Sequence, residues 1–184
     1  MSLHLVDLDT FGIRQLMLEE IELDIQRRQL YLSPRLSQMG VSLYPDLLRA
    51  AARSGSDSSL AAELRNGPLI RATEERRTPK GGATIAKVPV TAADTLAEGE
   101  FNRFYARALC RHAIAAGIMA VEVYRAKTVE HPRAESLVLL GSHLPPQQLL
   151  DDLRQSIGTE TALGLPPGPN SGLSIRLPVL VART

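Results

Sequence analysis

Between residues 10 and 28, Ile13, Leu16, Met17, Ile21 and Ile25 recur at the i, i+3, i+4 spacing of one helix face, with Glu19, Glu20, Glu22, Arg27 and Arg28 around the rest. Leu18 and Leu23 fall off that stripe, so a second side is expected to meet another element or another chain. Ser33-Pro34 ends the helical pattern, because the residue before proline avoids helical backbone. Two shorter helices are predicted next: PDLLRAAARSG (45–55), with Pro45 in its first turn, and SSLAAELRNG (58–67), stopped at Asn66-Gly67. The pattern then becomes extended. LIRATEERRT (69–78) and ATIAKVPVT (83–91) read as two strands joined at Pro79-Lys80-Gly81-Gly82, where Gly81 and Gly82 suit a reversal needing positive φ. Pro89 implies an exposed or edge position for the second strand.

Thr91 and Asp94 have the spacing of a capping box and open a long helix running to Gly117. Leu96, Phe101, Phe104, Tyr105, Ala108, Leu109 and Ala116 supply its apolar face, and Gly99 is its weakest point. At 1.5 Å per residue it is a spine of about 38 Å. IMAVEVYRAK (118–127) follows as a strand with Val121 and Val123 on one face and Glu122 and Tyr124 on the other. Leu137 to Leu140 fit either a buried strand or a helical turn. LPPQQLLDDLRQSIG (144–158) is a helix with an apolar stripe of Leu149, Leu150, Leu153 and Ile157. LGLPPGPNSG (163–172) reads as a rigid loop, and LSIRLPVLVA (173–182) as a closing strand with an edge-type Pro178. The expected fold class is α+β, in three parts: a helical N-terminal region (1–67), an extended hairpin (68–90), and the spine with an α+β core (91–184).

Composition narrows the function classes. Hydrophobic residues make up 44% of 184, enough for a globular core, but aromatics are only 4% and Trp is absent, so Phe11, Phe101, Phe104 and four tyrosines are its few large rings. So few rings argue against a platform for stacked bases, and a net charge of +1 argues against a dedicated nucleic-acid binder. Cys110 is the only cysteine, which excludes an intrachain disulfide or a cysteine-based zinc cage. Asp7 and Asp9 come too early for a secretory leader, and no stretch approaches about 18 uninterrupted apolar residues. A cytoplasmic, unanchored protein is expected, or a particle component if it forms a shell.

No catalytic signature emerges. His4, His112, His131 and His143 lack ligand spacing, and Cys110 sits mid-helix, where a buried inert thiol is the common outcome. Lys80 before two glycines lacks the order of a phosphate loop, Ser171 has the wrong spacing for a nucleophile elbow, and Asp151 and Asp152 point apart on one helix. No cofactor, metal or small-molecule substrate is indicated. Glu122, Tyr124, Arg125 and Glu135 around the post-spine strand are the residues to inspect for a site assembled from distant positions.

Two features stand out. Arg103, Arg107 and Arg111 lie at i, i+4, i+8 on the spine; three aligned guanidinium groups call for solvent, carboxylates of this or another subunit, or phosphate. The other is the hairpin, whose ERRTPKGGATIAK (75–87) contains one large apolar side chain, Ile85. A two-stranded hairpin with so little to bury needs an external support. Arg71, Glu74, Glu75, Arg76, Arg77 and Lys80, with Gly81 and Gly82 at the turn, are the candidate contacts to a neighbouring molecule.

A helical N-terminal region, a polar hairpin, a long helix opening at VPVTAADTLAEGEFNRFY (88–105), a strand and a compact α+β remainder: this order resembles the shell-protein fold of tailed-phage major capsid proteins and encapsulins. The resemblance implies an N-terminal arm in 1–67, a loop overlapping a neighbour in 68–90, the spine in 91–117, and the sheet and axial region in 118–184. That family's axial region is usually larger than the stretch left here. The expected function is a non-enzymatic structural protein that self-assembles into a symmetric homo-oligomer or closed shell, with nucleic acid against one face as a further candidate partner. The alternatives are a nucleic-acid-binding module of a mobile element or regulatory system, using the basic hairpin and the arginine stripe, and an enzyme whose site is not readable from sequence.

Overall fold

The computed structural model describes residues 2–10, 12–78, 81–158 and 171–178. Phe11, Lys80, most of the loop 163–172 and the tail beyond Pro178, all singled out above, lie outside the described residues. The elements are α1 (Ile13–Arg27), α2 (Gln38–Ser54), α3 (Asp57–Arg65), β1 (Thr73–Arg77), β2 (Ala83–Lys87), α4 (Ala92–Ala115), β3 (Val121–Arg125), α5 (Ala134–Val138), β4 (His143–Leu144), α6 (Pro146–Gln155) and β5 (Leu173–Arg176). This is an α+β fold.

Helix α4 is its axis. α1, α3, α6 and β5 pack around it, and α2 lies chiefly against α1 and α3. Because neighbours cover several sides of α4, its buried residues are not one stripe: Phe101, Phe104, Tyr105 and Leu109 are sequestered, but so are Glu98, Glu100, Asn102, Arg103 and Arg107. The single core runs from Leu3 and Leu5 through Ile13, Met17 and Ile21 to Leu173 and Ile175. The N-terminal region therefore shares the core of the spine. Leu18, off the predicted stripe of α1, packs against the same core.

β3 is the centre of a three-stranded antiparallel sheet, with β4 on one side and β5 on the other. Val121 and Val123 point into the core as alternation requires, Val123 opposite Ile175. The N-terminal segment is tied to this sheet: His4 N donates to Ala126 O at 2.7 Å and the Tyr124 hydroxyl donates to His4 O at 2.6 Å.

Three local expectations are corrected. Pro45 lies inside α2, which begins two turns earlier at the Ser37 cap, whose Oγ accepts from Gly40 N at 3.0 Å; the sheltered Tyr44 and Leu48 hold the helix through the proline. Thr91 does not cap α4 through its side chain: its backbone (φ −85°, ψ 3°) is a turn rather than the extended cap conformation, and Asp94 instead pairs with Arg65 at 2.6 Å. Of the turn glycines, only Gly81 has a positive φ, +82°. Residues 134–138 settle as a helical turn with Leu137 and Val138 exposed.

Candidate functional site

β1 and β2 form a two-stranded sheet of their own, in the register Thr73 to Lys87, Glu75 to Ile85 and Arg77 to Ala83. Thr78 N donates to Gly82 O at 2.8 Å to close the turn, and Val88 N donates to Ala72 O at 3.0 Å to close the base. Nearly every strand residue is exposed; Ile85, the one large apolar side chain, is 78% exposed.

Among the described residues its support is polar and confined to the base. Leu36 bridges Ile70, Arg71 N donates to Arg35 O at 2.9 Å, and the Arg71 Nε donates to Leu36 O at 2.9 Å. Arg35 grips Glu74 through two hydrogen bonds, at 2.6 and 3.2 Å, while Arg76 pairs with Glu74 at 2.7 Å. The hydrogen bond from Arg35, joined by that from Arg76, holds the Glu74 carboxyl below its ordinary range. Among the predicted contact residues, Glu74 and Arg71 thus serve this mount, whereas Glu75, Arg76 and Arg77 are exposed along the hairpin and Gly81 and Gly82 at its tip.

The arginine stripe faces inward, and of the partners it calls for, carboxylates of the same chain are the ones it meets. Arg107 is 1% exposed and forks onto Asp24 at 2.7 and 2.8 Å, with its Nε donating to Glu20 at 2.8 Å. Arg154 of α6 donates to the other side of Glu20 at 2.7 Å, and Arg111 pairs with Glu19 at 2.8 Å. Arg103 is 3% exposed; it meets Glu100 at 3.3 Å and donates to the carbonyls of Leu153, Ser156 and Gly158, closing the end of α6. Arg103 and Arg107 are thus out of reach of a phosphate in solution. Burial pushes the Glu20 carboxyl up, but the Arg154 hydrogen bond and the Arg107 charge outweigh it and hold the group below its usual value. Asp24, Arg35 and Arg154 carry no mark in the sequence reading, and Glu20 figures there only as a polar position of α1; the i, i+4 spacing of Glu20 and Asp24, matching the arginine stripe, is the signal that points to those two.

Glu100 behaves differently. Burial is the largest influence and Arg103 only partly offsets it, with Asp24 and Arg107 also in its field, so the carboxyl is pushed up to about 7. A raised folded-state value means the folded chain holds this proton more tightly than the unfolded chain, so its contribution falls as pH climbs from about 4.5 to about 7. Glu20 runs oppositely, its contribution being lost as pH falls. Glu100→Gln is expected to melt higher relative to wild type at pH 8 than at pH 5, by an amount on the order of 2 kcal/mol. Thermal melts at both pH values check this; parallel profiles would refute the assignment.

The other candidate residues do not converge. Glu122 pairs with Arg176 across the sheet at 2.7 Å, Tyr124 is used by the N-terminal segment, Arg125 donates to Ser171 O at 2.9 Å, and Glu135 is exposed on α5. Cys110 is buried, which pushes its thiol up to about 12. Asp151 accepts from Gln147, one turn earlier on α6. Among the described residues no three His, Cys, Asp or Glu side chains gather to hold a metal ion, and no helix is long and apolar enough to cross a membrane. A cleft between α4, α6 and β5, lined by Asn102, Arg103, Leu153 and Ser174, has about 10 Å³, room for about one water rather than a substrate. Its polar atoms satisfy one another: Ser174 Oγ donates to Asn102 at 2.6 Å and Asn102 donates to Leu173 O at 2.7 Å. No protein-family model, curated protein or solved structure matches the chain.

Proposed function

We propose that the protein is a non-enzymatic structural component that self-associates into a symmetric homo-oligomer or closed shell, with the hairpin as its intersubunit contact. The observation that carries this is the hairpin itself: among the described residues, a two-stranded sheet held only at its base by polar contacts, with Ile85 78% exposed at its centre. Such a sheet lacks the third strand or covering helix that stability in water ordinarily requires, and a neighbouring subunit supplies one. Met39 and Leu43, one turn apart on α2 and about half exposed, add apolar surface that an assembly would cover. The order of elements, similar to that of capsid shell proteins, favours the same reading.

The test is native mass by size-exclusion chromatography with light scattering, on the full chain and on a chain with 75–87 replaced by a short glycine linker. The full chain is expected to be a discrete multiple of 20.0 kDa, and the deletion to lower that mass while leaving the melting temperature nearly unchanged. An unchanged oligomer after deletion rejects the hairpin as the contact. A monomeric full chain that binds DNA with steep salt dependence replaces self-association with phosphate recognition by the basic hairpin.

A further inference from the structure

Each hairpin strand offers one unpaired edge, and the register determines which residues form it. Because Ala72 pairs with Val88 through a hydrogen bond and Thr78 with Gly82, the even-numbered residues of β1 and β2 turn their backbone groups toward each other. Thr73, Glu75 and Arg77 on β1, and Ala83, Ile85 and Lys87 on β2, therefore turn their N–H and C=O groups outward. Among the described residues no backbone hydrogen bond meets these groups from outside the hairpin.

The two edges differ in compatibility with a copy of themselves. Antiparallel pairing of β1 with β1 of a second chain, centred on Glu75, sets two carboxylates directly opposite each other, an unfavourable cross-strand pair. Pairing of β2 with β2, centred on Ile85, opposes Ile85 to Ile85, Ala83 to Lys87 and Thr84 to Ala86, with no like charges directly opposed. The turn at Gly82 and Pro89, which has no N–H to donate, bound that edge to the five residues of β2. The base of β1, by contrast, is already bridged to the segment around Leu36.

We infer that the hairpin pairs with a second copy of this chain through the β2 edge, forming a continuous four-stranded antiparallel sheet β1-β2-β2-β1 about a twofold axis at Ile85. The deduction rests on the self-association proposed above and specifies its edge, register and symmetry. The pairing forms about six main-chain hydrogen bonds between chains and brings the two Ile85 side chains side by side. One operation thus covers the exposed isoleucine and doubles the strand count.

Disulfide trapping in the full chain tests it, because Cys110, the only native cysteine, is buried. Opposed residues of a hydrogen-bonded antiparallel pair have Cα atoms about 5.5 Å apart, inside the range a disulfide spans. Ile85→Cys is expected to give an oxidised dimer at least about tenfold faster than Glu75→Cys, since the two Glu75 positions would be about 14 Å apart, three strand spacings. Circular dichroism melts of both variants establish that they fold. Faster trapping of Glu75→Cys overturns the choice of edge. An oligomer by light scattering in which neither variant is trapped overturns the pairing but leaves self-association standing, and a monomer at every concentration rejects both.

Discussion

Arg107→Ala is expected to destabilise the protein by about 3–5 kcal/mol, the cost of leaving buried carboxylates without their cation. The guanidinium is 1% exposed and is the shared partner of Glu20 and Asp24 on α1. Its removal leaves Glu20 with Arg154 and a longer contact to Arg111 at 3.4 Å, and takes the two-pronged contact from Asp24. Arg107→Lys should recover only part of the loss, because a single ammonium cannot reproduce the fork. Arg111→Ala, whose side chain is 30% exposed, should cost less than about 1 kcal/mol. Urea unfolding at pH 7 distinguishes these outcomes; equal small losses for Arg107→Ala and Arg111→Ala would show that the buried network contributes little beyond its packing. The cation–π approach of Arg107 to Phe104, 5.0 Å to the ring centroid, is lost with the same substitution and adds to the expected effect.

Gly40→Ala is expected to cost about 3 kcal/mol and to loosen the hairpin from its mount, although alanine is ordinarily the better helix former. A Cβ at residue 40 would run into the carbonyl oxygen of Leu69 and lie 3.1 Å from its carbon; the backbone there cannot swing aside as a side chain would. Leu69 O accepts from Ser37 N at 2.8 Å, and the neighbouring Leu36 to Ile70 bridge leads directly into β1. The strain therefore falls on the connection between α2 and the hairpin. A lower melting temperature together with faster amide exchange at Ile70 and Arg71 is the expected result. Unchanged exchange at those amides would place the accommodation in α2 instead.

The hairpin was legible in the sequence because everything that defines it is local. Turn glycines, alternating polar residues and a single Ile85 within one short stretch mark two strands with little to bury, and the structure places Ile85 in the open. The spine was legible for a similar reason, as were the core faces of α6 and β3, where Leu149, Leu150, Leu153, Val121 and Val123 are buried. Ala116 and Ile157, expected on the apolar faces of the spine and of α6, lie just past the ends of those helices and are exposed. Pro45 misled because a proline at a first turn and a proline inside a packed helix look alike in sequence. What separates them is the burial of Tyr44 and Leu48 on either side.

The sequence by itself determined the periods: which stretches coil, which extend, and that three arginines share one side of one helix. Only the tertiary structure decided which way that side faces. Arg107 meets Asp24 across 83 residues and Arg154 meets Glu20 across 134, and spacing along a single helix carries no information about so distant a partner. Burial of the stripe became affordable because α1 and α6 bring carboxylates and carbonyls to it. The hairpin shows the converse: among the described residues no element closes over it, and its exposure follows from the same lack of apolar side chains that its sequence displays.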